Sequence, residues 1–283
     1  MPPKISHITA IVQGSRERQM PVDVYFQENQ QAKSIVIFSH GFKGFKDWGA
    51  FPKMAEFFAE KGFVFVKFNF SYNGGTIENS IDFPDLEAFG RNTYSTELDD
   101  LGLVIDFVIN STIIPVAEKD TEKIYLIGHS RGGGITILKG NEDSRVKKIA
   151  TLAAVGNYAN RFPKGENLKR WQAEGVEYVY NSRTKQQMPM YYDAYLDFQQ
   201  NQSRLDIPRA ASRIKIPFLI LHGADDETVS LADAELLKER CKHAQLSIYP
   251  NTNHTFNAKH PWEEPNLPTE FEKALNEIVE FFE

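Results

Sequence analysis

The stretch KIYLIGHSRGGG, Lys123–Gly134, changes character at its midpoint. Its first five residues, mostly Ile, Tyr and Leu, read as a short buried strand, and the glycine-rich remainder opens onto a helical segment at Ile135–Lys139. An apolar run without alternation belongs to a strand covered on both faces, the usual situation in a parallel sheet. Ser130 stands where strand gives way to helix, inside Gly128-His129-Ser130-Arg131-Gly132, a G-x-S-x-G. A serine hydroxyl becomes a useful nucleophile when it projects from such a sharp turn, and flanking glycines let neighbouring backbone approach without a clashing Cβ. The same turn aims backbone N–H groups and a helix N-terminus at charge developing on a reacting oxygen. The plainer alternative is an incidental serine in a glycine-rich turn.

On either side of this stretch, apolar runs rich in β-branched and aromatic residues alternate with helix-period segments. That pattern predicts a largely parallel sheet with helices on both faces. Ile5–Val12 and Met20–Phe26 read as an antiparallel pair, Ser34–Ser39 as a buried strand before the turn HGFKGF, Phe51–Lys61 as a helix and Phe63–Phe70 as a strand. Thr93–Asn110 carries apolar residues at helical spacing. Val146–Val155, Pro217–Leu221 and Leu246–Tyr249 read as further strands, and Thr269–Phe282 as a closing amphipathic helix. The segment between Val155 and Pro217 far exceeds a turn of ~2–6 residues plus one helix. It reads as a cap, with helix-like pieces near Leu168–Glu174 and Tyr191–Gln200. The expected division is a core of residues 1–156 and 214–283 and a cap of residues 157–213.

A nucleophilic serine needs a base, and the chain has seven histidines. His129 lies beside the serine, where its side chain is expected to point away from the site. His40 and His222 end strands in His-Gly turns, His7 lies in an outer strand, and His243 and His260 lack a strand-end setting. His254, in PNTNHTF, falls in the loop after the last strand, from which a base reaches the serine along the same edge of the sheet. A surface-loop histidine is the alternative there. The third group must accept the histidine Nδ1–H and stabilise the imidazolium. HGADDETV, His222–Val229, offers adjacent carboxylates; the spacing H-G-x-x-D-x-x-V selects Asp226, with Asp225 as runner-up. Two backbone donors, the N–H of Arg131 and that of Phe42, are expected to form an oxyanion hole.

Composition narrows the function classes. With 283 residues, 41% hydrophobic and 25% charged, one globular main domain is the default. A net charge of −6 without basic runs gives no footprint for nucleic acid, and no segment approaches the ~20 apolar residues of a membrane span. The N-terminus lacks a signal-peptide core, and the lone Cys241 excludes an intramolecular disulfide, so a cytoplasmic location is expected. Dispersed histidines, with no HExxH and no CxxC, argue against a metal, and Gly132-Gly133-Gly134 lacks the Lys-Ser/Thr of a phosphate loop, so no cofactor is expected.

These motifs resemble the α/β-hydrolase superfamily, and within it the dienelactone-hydrolase-like and cinnamoyl (feruloyl)-esterase-like branch. The matching residues are HGF at His40–Phe42, GHSRGG around Ser130, HGADDETV at His222–Val229 and NHTF at Asn253–Phe256. The resemblance implies a mostly parallel eight-stranded sheet flanked by helices, a helical cap inserted after the sixth strand, and cofactor-free acyl-enzyme catalysis. Dienelactone hydrolases proper use a cysteine nucleophile; serine here favours ester or amide cleavage. The expected partner is a small-molecule ester, with a homodimer as the one protein assembly considered. Cleavage of small peptides or amides, in the manner of prolyl-oligopeptidase-like aminopeptidases, is the second reading, and a non-catalytic binding protein the third. The cap, basic and rich in tyrosine (Tyr158, Tyr178, Tyr180, Tyr191, Tyr192, Tyr195), suggests an aromatic or carboxylate-bearing substrate group. A solvated surface with core tyrosines is the alternative.

Overall fold

The computed structural model describes residues 4–283. β1 (Ile5–Gln13) and β2 (Gln19–Gln27) lead into β3 (Lys33–Ser39), α1 (Phe51–Glu60), β4 (Val64–Phe68), the short α2 (Leu86–Gly90) and the long α3 (Tyr94–Asn110). Next come β5 (Lys119–His129), α4 (Arg131–Glu142) and β6 (Val146–Leu152). The segment expected to form a cap follows, with α5 (Glu166–Glu174), β7 (Val176–Asn181), β8 (Gln186–Tyr191), α6 (Asp193–Gln200) and α7 (Ile207–Arg213). The chain then returns through β9 (Phe218–Gly223), α8 (Leu231–Arg240), β10 (Gln245–Tyr249) and α9 (Thr269–Phe282).

Eight strands form one sheet in the order β1-β2-β4-β3-β5-β6-β9-β10. β2 pairs antiparallel with both β1 and β4, and every other pairing is parallel. This is the mostly parallel eight-stranded sheet expected from the sequence. β4 and β9 are buried along their whole length, as strands with helices on both faces must be. One face packs under α3, α4, α7 and α8 through residues such as Leu101, Ile135 and Leu237. The other packs under α1 and α9 through Met54, Phe58, Leu275 and Ile278. α3 begins where the Thr93 hydroxyl accepts the N–H of Thr96, and α8 where Ser230 accepts that of Ala232, each satisfying an orphan donor of a first turn.

The expectation of a helical cap needs correction. α5 and α6 occupy the two segments read as helical, but β7 and β8 pair as an antiparallel hairpin between them, from Val176↔Tyr191 to Asn181↔Gln186. The local cause is visible in VEYVYN, whose β-branched and aromatic residues suit a strand. Tyr178 and Tyr180 face solvent while Asn181 is buried. Trp171 of α5 is fully buried, and its indole N–H donates to Met190 O of β8 at 2.8 Å, binding helix to hairpin. Three arginines of this segment meet core carboxylates: Arg183 pairs with Asp82 at 2.8 Å, Arg204 with Asp99 at 2.7 Å and Glu142 at 2.9 Å, and Arg161 with Asp233 at 3.6 Å.

Candidate active site

The end of β5 carries the site's most constrained residue. Ser130 has φ 56° and ψ −119°, with α4 starting at the next residue. A non-glycine residue there costs about 1–3 kcal/mol and persists only where its surroundings over-determine it. They do. Ser130 N–H donates to Leu152 O at 2.9 Å, and its carbonyl accepts the N–H groups of Gly133 and Val155, each at 3.0 Å. A Cβ on Gly128 would lie 2.3 Å from Gly132 O, and one on Gly132 would lie 2.4 Å from the carbonyl oxygens of both His40 and Ser39. The strand-to-helix turn therefore packs backbone against backbone, and larger residues would force it apart.

Asp226 and His254 come together from the loops after β9 and β10. His254 Nδ1–H donates to Asp226 Oδ2 at 2.8 Å. Asp226 is the adjacent carboxylate whose side chain is fully buried, while Asp225 is exposed. Its other oxygen accepts the N–H groups of Thr228 and Val229 at 2.8 and 2.9 Å, and His222 Nε2 lies 3.3 Å from Oδ2. Burial opposes the charge, but hydrogen bonds from His222, His254 and Val229 outweigh it and hold the Asp226 carboxyl well below the usual carboxylate range. Ser130 and His254 line one cavity. Among the described residues Ser130 Oγ makes no hydrogen bond, so its proton is not yet engaged by the imidazole.

Phe42 and Arg131, the residues expected to supply an oxyanion hole, line a cavity together with Ser130, and neither backbone N–H finds an acceptor among the described residues. The Phe42 donor is held by a residue discounted at the sequence level. Buried His40 accepts the Phe70 N–H on Nε2 at 3.2 Å, and its Nδ1–H donates to Gly41 O at 2.9 Å, which fixes the tautomer and the peptide before Phe42. Burial keeps His40 neutral, its pKa lowered to about 4. The Arg131 side chain is tied down beside the smaller cavity: Nε donates to buried Glu97 at 2.8 Å, and the guanidinium lies 4.3 Å from the Tyr94 ring centre. Sequence reasoning had no means of finding Glu97, which pairs across 34 positions without a motif.

His129 departs from expectation. Its side chain is not directed away from the site but lines the same cavity as Ser130, and its Nε2–H donates to the backbone carbonyl of His254 at 2.9 Å. The two imidazoles lie 4.8 Å apart. Burial, with repulsion from His254 next, lowers the His129 pKa to about 3, so it stays neutral and acts as a strut. The missed signal was position: His129 ends the strand that leads into Ser130, at the edge of the sheet where the His254 loop passes.

Two lobes meet at Ser130. One, about 260 Å³, is lined largely by Phe42, Tyr94, Val155, Tyr158, Val179 and Met190. The other, about 510 Å³, holds His254 and includes Lys43, Asn181 and Arg183. Neither has an Asp or Glu among its lining residues. Val179 of the β7–β8 hairpin lines both lobes. Among the described residues no group of three or more His, Cys, Asp or Glu side chains converges as a metal would require, and no helix is long and apolar enough to cross a membrane.

Residues 49–266 match the prolyl oligopeptidase family. The Escherichia coli (strain K12) protein YcjY is 33% identical over 162 residues, 56% of this chain and 48% of that one, so the chain spans about half the length of this relative. Est1E of Butyrivibrio proteoclasticus, solved with ferulic acid bound, is similar with a TM-score of 0.72 at 16% identity, covering 96% of this chain and 97% of that one. Dienelactone hydrolase of Anabaena variabilis gives a TM-score of 0.63 at 15% identity, over 100% of this chain and 98% of that one. At such identities these two structures speak to the fold alone.

Proposed function

The chain belongs to the prolyl oligopeptidase family and is a hydrolase of the α/β type; from that premise we propose that it cleaves carboxylic esters through an acyl-enzyme on Ser130. The observation that carries this reading is the convergence, at two adjoining cavities that share Ser130, of a serine on a strained turn, a histidine bound to a buried carboxylate, and two unengaged N–H groups. In the first step the Ser130 Oγ–H proton passes to His254 Nε2 as Oγ bonds to the ester carbonyl carbon. The carbonyl oxygen takes up the negative charge and is held by the N–H groups of Phe42 and Arg131. Collapse breaks the bond to the leaving oxygen, which takes the proton from His254. A water then gives its proton to His254 and attacks the acyl carbon, releasing the acid and restoring Ser130. Asp226 holds the tautomer that leaves Nε2 free and stabilises the imidazolium. Residues 157–213 act as the cap that shapes and covers the acyl lobe.

Cleavage of small peptides is the second reading, favoured by the family match. An aminopeptidase has to hold the substrate's ammonium group, and an unpaired buried cation is costly. The lining of both lobes offers no carboxylate for that purpose, which supports an ester. A fluorophosphonate probe should label the wild type and leave Ser130→Ala unlabelled; an unlabelled wild type would refute the serine mechanism. Parallel turnover of p-nitrophenyl esters and aminoacyl anilides separates the readings, and faster cleavage of the anilides would favour the peptidase.

A further inference from the structure

The two lobes at Ser130 differ in the one property that assigns them. His254 has to hand its proton to the leaving oxygen, so the leaving group must occupy a space that His254 borders. His254 lines the larger lobe and not the smaller one. The acyl group therefore lies among Tyr94, Val155, Tyr158 and Met190, and the alcohol leaves through the lobe that contains Lys43 and Arg183.

The two cations of the smaller lobe, Arg131 and Arg161, are paired with Glu97 at 2.8 Å and Asp233 at 3.6 Å, whereas the charges in the larger lobe do not balance. Arg183 is compensated: its guanidinium pairs with Asp82 and donates to Ile81 O at 2.5 Å. Lys43 is not. Among the described residues its ammonium meets no carboxylate, and its one hydrogen bond is a long one of 3.4 Å to Tyr180 O on the hairpin. The backbone at Lys43 is left-handed, φ 55°, on the turn that directly follows the Phe42 N–H. Partial burial without a counter-charge lowers the ammonium pKa from its ordinary value. One uncompensated cation, in a lobe with polar Asn181, Ser182 and Thr255 and no acidic lining residue, complements a single negative charge.

Building on the esterase reading, we propose that Lys43 selects esters whose leaving alcohol carries a carboxylate, held in the lobe beside His254 while an uncharged acyl chain fills the other. The bonds are those of the reaction above: the Ser130 Oγ–acyl bond forms, the bond to the leaving oxygen breaks, and the departing hydroxy acid takes its proton from His254 and keeps its carboxylate throughout. Lys43 binds and orients, and takes no part in proton transfer.

Three butyrate esters test this: those of 3-(4-hydroxyphenyl)propanoate, of its primary amide and of tyramine, whose phenols are electronically similar and whose side chains are anionic, neutral and cationic. For the wild type, kcat/KM should favour the anionic ester over the amide by about tenfold, mostly in KM, and the ratio should shrink with added salt. Lys43→Met should bring the ratio to about one, and Lys43→Glu should turn preference towards the tyramine ester. Because each variant is judged by the ratio of two substrates on the same sample, a partly folded preparation does not mimic the result. A wild-type ratio near one, or a preference that survives in Lys43→Met, overturns the assignment and leaves the esterase reading standing. No hydrolysis of any of the three overturns the esterase reading and this assignment together.

Discussion

At the scale of single residues, the site separates two chemically identical neighbours by environment. Asp226 is buried and bonded to His254, and Asp225 is exposed. Asp226→Asn leaves the shape and removes the charge that orients His254 Nδ1–H, so kcat should fall by about 10³–10⁴-fold. Asp225→Asn should stay within about twofold, since surface substitutions away from such contacts do little. Steady-state kinetics on one p-nitrophenyl ester checks both, and a matching loss in Asp225→Asn would mean the carboxylate is misassigned. The sequence made Ser130, Asp226 and His254 nameable because each stands at a strand end with a recognisable neighbour pattern. It discounted His40, misdirected the His129 side chain and passed over Glu97, because their roles consist of contacts with groups far away in the chain.

At the scale of elements, the strand-turn-helix of β5 and α4 tolerates no added bulk. A methyl group on Gly132 meets two carbonyl oxygens of the β3 turn at 2.4 Å, both backbone and unable to swing aside. Gly132→Ala should therefore lose more than about 3 kcal/mol of stability or fail to accumulate folded, as a urea titration would show. Near-wild-type unfolding would mean the turn is looser than described. The cap makes a contrasting prediction. Trp171→Ala removes a fully buried side chain and its bond to Met190 O, a change worth about 3–5 kcal/mol. Limited proteolysis should cut the variant first within residues 157–213, whereas first cuts in the core would argue that cap and core unfold together. The core strands were legible because burial on both faces writes a continuous apolar run. The β7–β8 hairpin was not: one of its faces is exposed tyrosine, and Pro189 interrupts the other strand.

At the scale of the molecule, a largely parallel sheet with helices on both faces was readable from alternating apolar strands and amphipathic helices, whereas the order of the strands in that sheet was not. What pattern cannot show is how the buried histidines tie folding to acidity. His40 and His129 have folded-state pKa values lowered to about 4 and about 3, against 6.5 in an open chain. As pH drops below 6.5 the unfolded chain takes up these protons and the native state refuses them, so stability falls at on the order of 1 kcal/mol per pH unit for each histidine, until the folded values are reached. Asp226, held ionised in the native state, pulls the same way once pH enters the carboxylate range. Urea midpoints should therefore decline steadily from pH 7 to pH 4.5, with a shallower slope in His40→Asn. A flat profile would mean that these imidazoles are not shielded.

The bond from His129 to the carbonyl of His254 crosses three strand positions, since β5 and β10 are separated in the sheet by β6 and β9. β10 is an outermost strand, and a loop hanging from it would ordinarily wander with the rim. Anchored to the residue before Ser130, that loop instead shares the motion of the sheet's centre. Ser130 and His254 are therefore coupled through the fold by a single bond of one buried imidazole, and a substitution that removes it unties the His254 loop from the turn that carries Ser130.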